Sequence, residues 1–226
     1  MDERFSRQLP LLGEDGQKKL AGARVLILGC GGLGGYLAEN MARLGVGYLT
    51  LADGDAFSPS NLNRQRFALP ETLGRNKAET AAAALRGLCP SIRAVPEYLT
   101  EDNADALIAG HDLVLDALDR VDARLWAESA CEKAGIPLVH GAVDGWAMQV
   151  SAVRPGAQTL HRLYRKAPER ETPSPSLAFV VAACAAEESA EALRLLLGEA
   201  PLFAGEIFFR DFQSLDSGFF SPDDVQ

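Results

Sequence analysis

A run of apolar residues, Val25-Leu-Ile-Leu28, enters Gly29-Cys30-Gly31-Gly32-Leu33-Gly34, a Gly-x-Gly-x-x-Gly turn, and a helical pattern opens directly behind it. Glycines at this spacing let the backbone turn tightly and approach a phosphate closely. The N-terminus of the following helix adds free N–H groups and a partial positive charge. The chemistry indicated is nucleotide binding, which at this point fits a dinucleotide-dependent oxidoreductase as well as an ATP-using enzyme. Asp53 ends the next apolar run, 19 residues beyond Gly34, where a carboxylate can accept hydrogen bonds from ribose hydroxyls. The bland alternative for Asp53-Gly54-Asp55 is a strand-end turn.

The residues that follow separate the two chemistries. Ser60-Asn61-Leu62-Asn63-Arg64-Gln65 is followed by Gly74-Arg75-Asn76-Lys77 at a helix start. A triphosphate has its charge neutralised by several cations, and a planar arginine fork and a lysine point charge are the usual means. Leu115-Asp116-Ala117-Leu118-Asp119 then places carboxylates at the carboxyl edge of a further strand, where such oxygens suit Mg²⁺ held jointly with phosphates. A nicotinamide site needs none of this. Taken singly, Arg64 also reads as a surface ion pair, Lys77 as a helix-start lysine and Asp119 as a helix N-cap. Their joint occurrence in this order favours the triphosphate.

The elements that position these residues alternate. Strand-like runs at 24–28 and 48–52 flank a helical pattern over 34–44, the order of a βαβ unit. A helix over 77–88 is halted by Pro90, and a weak strand at 92–98 containing Pro96 belongs at a sheet edge. A short helix near 103–109, a strand at 113–116, an amphipathic helix over 123–134 and a strand opening at Pro137 continue a parallel sheet. Asp144-Gly145 between two apolar runs signals a hairpin, so 146–153 returns antiparallel, its alternation read as sheet core. Residues 155–176 read as a long irregular crossover loop, of a length found mainly where a segment is functional or mobile. A helix over 179–197 and a strand over 206–212 close the pattern, and a short helix near 15–20 opens it. The expected fold class is α/β: a Rossmann-like mixed sheet, with a parallel N-terminal half, antiparallel C-terminal strands and helices on both faces.

A chain of 226 residues fits one domain, 1–226, with a continuous core. Its net charge of −9 disfavours nucleic acid and anionic membranes as main partners, since both reward Lys and Arg. No apolar run approaches the roughly 18 residues that span a bilayer, and Met1-Asp-Glu-Arg4 leads into no signal-peptide core, so a cytoplasmic location is expected. Cys30, Cys89, Cys131 and Cys184 lie far apart with no Cys-x-x-Cys pair, which suggests neither a zinc site nor a disulfide framework.

Together with Arg4-Phe-Ser-Arg7-Gln8 near the start, the ordered set of motifs resembles the HesA/MoeB/ThiF adenylyltransferases, relatives of the ubiquitin-activating enzymes, over nearly the whole chain. The resemblance implies a nucleotidyltransferase that uses ATP and Mg²⁺ to adenylate the C-terminal Gly-Gly carboxylate of a small ubiquitin-like sulfur-carrier protein, with release of pyrophosphate. Gly29, Gly31, Gly32 and Gly34 would cradle ATP, Asp53 would hold the ribose, and Asp55 and Ser60 would belong to the same cofactor site. Asn61, Arg64 and Lys77 would contact the phosphates, and Asp119 would bind the metal. Arg7 would reach the ATP site of the other subunit of a homodimer, making Arg7, Arg64, Lys77 and Asp119 the catalytic set. A separate sulfur donor would act on the acyl-adenylate.

The chain departs from that family's pattern in three places. Arg120 stands where Asn usually follows the metal-binding Asp. Thr159-Leu-His-Arg-Leu163 occupies the region of the first cysteine pair that holds zinc in many members, so no zinc is expected. Residues 155–176 carry no cysteine of the kind the thiamine-pathway type uses. Cys184, inside an apolar helical run, reads as a packing residue because a reactive thiolate needs a polar or cationic, accessible setting. Cys30 likewise reads as packing, and His111, His140 and His161 show no metal spacing. Arg154, Arg162, Arg165, Lys166 and Arg170 form a basic stretch in an acidic chain, either a solvated loop or a docking patch for an acidic carrier. A non-catalytic nucleotide-binding regulator or scaffold on the same fold is the alternative to an enzyme, and Arg120 is the residue that raises it.

Overall fold

The computed structural model describes residues 2–166 and 174–225. One mixed sheet of eight strands carries the described chain, in the order β3-β2-β1-β4-β5-β6-β7-β8. Strands β1 (Arg24–Leu28), β2 (Tyr48–Ala52), β3 (Ser91–Val95), β4 (Leu113–Asp116) and β5 (Leu138–Asp144) run parallel. Strands β6 (Ala147–Val153), β7 (Ile207–Asp211) and β8 (Ser217–Phe220) follow antiparallel. The period-2 alternation of a strand sorts the core into two layers. Val25 and Ile27 of β1 face helices α2 (Gly32–Leu44), α3 (Lys77–Leu85) and α7 (Ala178–Leu197). Leu26 and Leu28 face α4 (Ala104–Ile108), α5 (Val121–Ala134) and α6 (Thr159–Leu163). Helices therefore cover both faces, as the fold-class expectation required.

Several expectations are corrected. The first helix, α1, runs over Leu9–Gly22 with a kink at Gly13 rather than near 15–20; Pro10 sits in its first turn, where a missing N–H costs nothing. Strand β3 takes the sheet edge but ends before Pro96, and α3 ends at Leu85, with Leu88 and Cys89 turning back onto the Leu85 carbonyl. The crossover 155–176 is not irregular throughout. It holds α6, whose Leu160 and Leu163 are buried in the second core layer. Trp146 lies in the hairpin turn rather than in the sheet core, half-exposed, with its ring 5.6 Å from that of Phe179. Strand β8, unforeseen, covers the edge that β7 would otherwise leave unpaired.

Candidate active site

Because β1, β2 and β4 are parallel neighbours, the segments after them emerge at one edge of the sheet. Chain order reverses between β1 and β4, so the gap beyond their carboxyl ends is the topological switch point, the usual ligand crevice of such sheets. Gly29-to-Gly34 occupies it. Gly29 has φ 88°, and a Cβ there would stand 2.7 Å from the Ala117 carbonyl oxygen; a Cβ on Gly34 would meet the Gly29 carbonyl at 1.8 Å. Only glycines pack the loop this tightly against β4 and its own helix. Helix α2 begins at Gly32 behind Gly31, with no side chain capping its first turn, which leaves the helix N-terminus open toward the crevice.

Asp53 holds this loop from the side. Its carboxylate accepts from the Cys30 N–H at 2.7 Å and from the Asp55 N–H at 2.8 Å. Burial pushes the Asp53 carboxyl above its ordinary range despite these donors. Asp55 in turn accepts from the Lys77 ammonium at 2.5 Å; burial opposes its ionisation, but the lysine outweighs it and holds the carboxyl low. Lys77 is itself buried at the start of α3, where Asn76 caps the helix through Glu79 N–H and donates to the carbonyls of Asp53 and Asp55. Asn76, which sequence reading passed over, thus locks the β2 end to the α3 start.

The 58–65 segment approaches the glycine loop through Gln65. Asn61 is buried and its Oδ1 accepts from the Ser58 N–H, while Ser60 and Ser58 share a hydroxyl contact at 3.0 Å. The Arg64 guanidinium donates to Ser60 O at 2.9 Å and to Asn63 Oδ1 at 2.8 Å. Gln65 reaches the glycine loop: a Cβ on Gly31 would lie 3.4 Å from its amide nitrogen, and its buried Oε1 has no hydrogen-bond partner. An orphaned buried oxygen beside a glycine cradle fits a polar ligand that completes it.

Of the two carboxylates expected at the end of β4, only Asp119 is exposed at the crevice. Asp116 is fully buried, its Oδ2 accepting from His140 Nδ1 at 2.7 Å and its Oδ1 from Leu118 N–H at 3.0 Å. Its candidacy as a metal ligand is corrected accordingly. A lone Asp119 carboxylate fits a Mg²⁺ whose remaining ligands are phosphate oxygens and water. Among the described residues, no group of three or more His, Cys, Asp or Glu could hold a metal on its own. Arg120 is turned onto Asp122 in the first turn of α5.

Arg7 is not brought to this crevice. Its neighbour Gln8 donates to the Leu44 carbonyl at the far end of α2, a helix of 13 residues and so about 20 Å long. Cys184 is fully buried, its sulfur against the Ala142 and Gln149 carbonyls, and burial pushes its thiol well up; Cys30 behaves alike. Both are packing residues in this structure. In the basic stretch Arg162 pairs with Asp223, Arg154, Arg165 and Lys166 are exposed, and Arg170 lies outside the described residues.

Residues 5–223 match the model of the ThiF family. The SAMP-activating enzyme E1 of Haloferax volcanii is 34% identical over 218 residues, covering 92% of this chain and 81% of that protein. The molybdopterin-synthase adenylyltransferase of Escherichia coli is 36% identical over 217 residues, covering 92% and 87%. The crystal structure of E. coli MccB with ATP shares the fold, with a TM-score of 0.84 at 20% identity over 97% of this chain and 72% of that one.

Proposed function

The chain belongs to the ThiF family, and on that premise we propose that it is an adenylyltransferase that activates the C-terminal Gly-Gly carboxylate of a small ubiquitin-like sulfur-carrier protein with ATP. The observation that carries this reading is the convergence at one switch point of an uncapped glycine loop, Asp53, the Lys77–Asp55 pair, the Arg64 segment and the exposed Asp119. The whole chain, 1–226, acts as one adenylation domain, and two copies form a homodimer. Within one copy Arg7 stands a helix length from the crevice, so a role for it there has to be played in trans.

The glycine-loop amides and the α2 N-terminus bind phosphate oxygens, whereas the unpaired Gln65 Oε1, itself an acceptor, takes a donor of the nucleotide such as a ribose hydroxyl. Asp53 orients the ribose side. The carrier carboxylate forms a bond to the α-phosphorus of ATP while the bond from that phosphorus to the pyrophosphate oxygen breaks. The nucleophile is already an anion, so no side-chain base is required. Negative charge grows on the phosphoryl oxygens, and Lys77 and Arg64, fixed beforehand by Asp55 and by Ser60 and Asn63, stabilise it more in the transition state than in the ground state. Lys77 exchanges part of its bond to Asp55 for phosphate. Asp119 would hold Mg²⁺, which would supply further charge neutralisation there. Sulfur comes from a separate donor, and the protein works in the cytoplasm; among the described residues no helix is long and apolar enough to cross a membrane.

Carrier-dependent ATP–pyrophosphate exchange tests the reading. The wild type should exchange label only with ATP, Mg²⁺ and a Gly-Gly-ending carrier together, and Arg64→Ala and Asp119→Ala should each lose at least ~100-fold, the scale of one preorganised electrostatic contact. A wild type that binds ATP without exchange would make the chain a nucleotide-binding regulator instead.

A further inference from the structure

Behind Asp119 lies a buried polar network that the adenylation reading leaves unused. Tyr164, in the turn that follows α6, places its hydroxyl 2.8 Å from Arg124 Nη1, 2.9 Å from Gln149 Nε2 and 3.0 Å from His140 Nε2. A phenol has one proton to give and room to accept two. Arg124 and Gln149 offer only N–H donors here, so the hydroxyl accepts from both and donates to His140 Nε2. Burial pushes the phenol up to about 12 and depresses His140, so the hydroxyl keeps its proton and the imidazole is neutral. The ring then carries its hydrogen on Nδ1 and donates it to Asp116 Oδ2 at 2.7 Å. Gln149 Nε2 also lies 3.2 Å from His140 Nε2, so its second N–H points at the same ring nitrogen that takes the Tyr164 proton.

Both arms of the network end on Leu118, the residue before Asp119. Asp116 Oδ1 accepts the Leu118 N–H at 3.0 Å, and Arg124 Nη2 donates to the Leu118 carbonyl at 2.6 Å. The guanidinium is buried, 3.8 Å from Asp116 and with its central carbon 5.2 Å from the centroid of the Tyr164 ring. Arg124 is thus held on three sides, and the peptide groups flanking Leu118 have little freedom left. At the other end of α6, the Glu128 carboxylate accepts the N–H groups of Leu160 and His161 at 2.8 and 2.9 Å, which fixes the helix that delivers Tyr164.

We propose that Tyr164 is a positioning residue for the metal edge of the site: through Arg124 and His140–Asp116 it fixes the Leu118 peptide and so aims the Asp119 carboxylate. This deepens the adenylation reading and rests on it. A merely structural tyrosine would affect ATP binding with and without metal alike, whereas this role confines the effect to the metal-dependent part. The experiment is calorimetric titration of the full-length protein with ATP, in Mg²⁺ and in EDTA, together with amide hydrogen exchange of peptides covering 116–120. Tyr164→Phe should weaken binding about tenfold in Mg²⁺, the scale of a lost charge-assisted hydrogen bond, leave binding in EDTA unchanged, and speed exchange at Leu118 without changing it in β1. Should Tyr164→Phe fail to fold, Gln149→Leu removes one of the three hydroxyl contacts and should show the same split at about threefold. Equal binding by wild type and variant in Mg²⁺ with unchanged exchange at Leu118, or equal weakening in both buffers, would overturn the proposal. A wild type that binds no ATP would instead sink the nucleotide reading itself.

Discussion

Replacing Asp53 by Asn isolates the joint between β2 and the glycine loop. The carboxylate accepts two backbone N–H groups, one on each oxygen, at 2.7 and 2.8 Å. An amide of the same shape has a single acceptor oxygen, so one of the two N–H groups must face the new NH₂ donor. A buried N–H left without an acceptor costs ~1–3 kcal/mol, and because burial already outweighs the two donors at the raised Asp53 carboxyl, losing the charge itself costs nothing more, so the net loss is about 2 kcal/mol. For a chain of this length that corresponds to a Tm lower by about 4 °C. Thermal melts by circular dichroism and amide exchange at Cys30, both without nucleotide, read this role separately from any contact to ribose. Asp53→Asn should lower Tm by that amount, accelerate exchange at Cys30, and raise the KM for ATP at least ~10-fold as the loop loses its set position. A Tm within about 1 °C of wild type with Cys30 still protected would refute the reasoning, because it would mean the loop holds its shape without Asp53.

Other consequences follow from the same geometry. Mixing Arg7→Ala chains with Asp119→Ala chains, each inactive alone, should restore part of the exchange activity through a hybrid site; a mixture as inactive as both parents, with subunit exchange demonstrated, counts against Arg7 acting in trans. Glu188 is fully buried with Oε2 lacking a hydrogen-bond partner, and burial raises its carboxyl well above 4.5, so the folded state keeps a proton that the unfolded chain releases. Stability should therefore fall as pH rises from about 4.5 toward the folded-state value, by up to about 1.4 kcal/mol per pH unit. Urea melts of Glu188→Gln should lack this component, and a wild-type-minus-variant difference that is flat from pH 5 to 8 would show that the raised carboxyl is wrong. A variant without cysteines should still form the carrier acyl-adenylate, and the wild type should purify without stoichiometric zinc; a covalent carrier adduct trapped at Cys184 would contradict both the burial of that thiol and the carboxylate-first chemistry.

Local chemistry made much of the site legible from residue order. The Gly29-to-Gly34 turn, the Asp53 strand end and the Asp144-Gly145 hairpin depend on backbone rules that act within a few residues, so composition and spacing reveal them. The parallel run β1 to β5 follows from apolar strands alternating with helices, and it alone gathers three strand ends at one edge. Strand β8 stayed hidden because Ser217-Gly-Phe-Phe220 has no alternation of its own and pairs only because β7 presents an open edge. The extent of α1 was hidden too, since its polar face has no strong period.

The division of the polar groups between core and crevice arises only once the chain is folded. Asp116 and Asp119 are chemically identical and three residues apart, yet one is buried against His140 and the other faces the crevice. The difference comes from a histidine 24 residues away and a tyrosine 40 residues beyond Arg124. In the sequence Lys77 and Arg64 read as cations for a triphosphate, or singly as a helix-start lysine and a surface ion pair; in the fold Lys77 is held by Asp55, and Arg64 by Ser60 and Asn63. The kind of chemistry open to the chain is written in residue order, because turns, strands and charges are local properties. Which of its carboxylates and cations stand ready for that chemistry was settled by burial and by partners far along the chain, and no spacing rule encodes either.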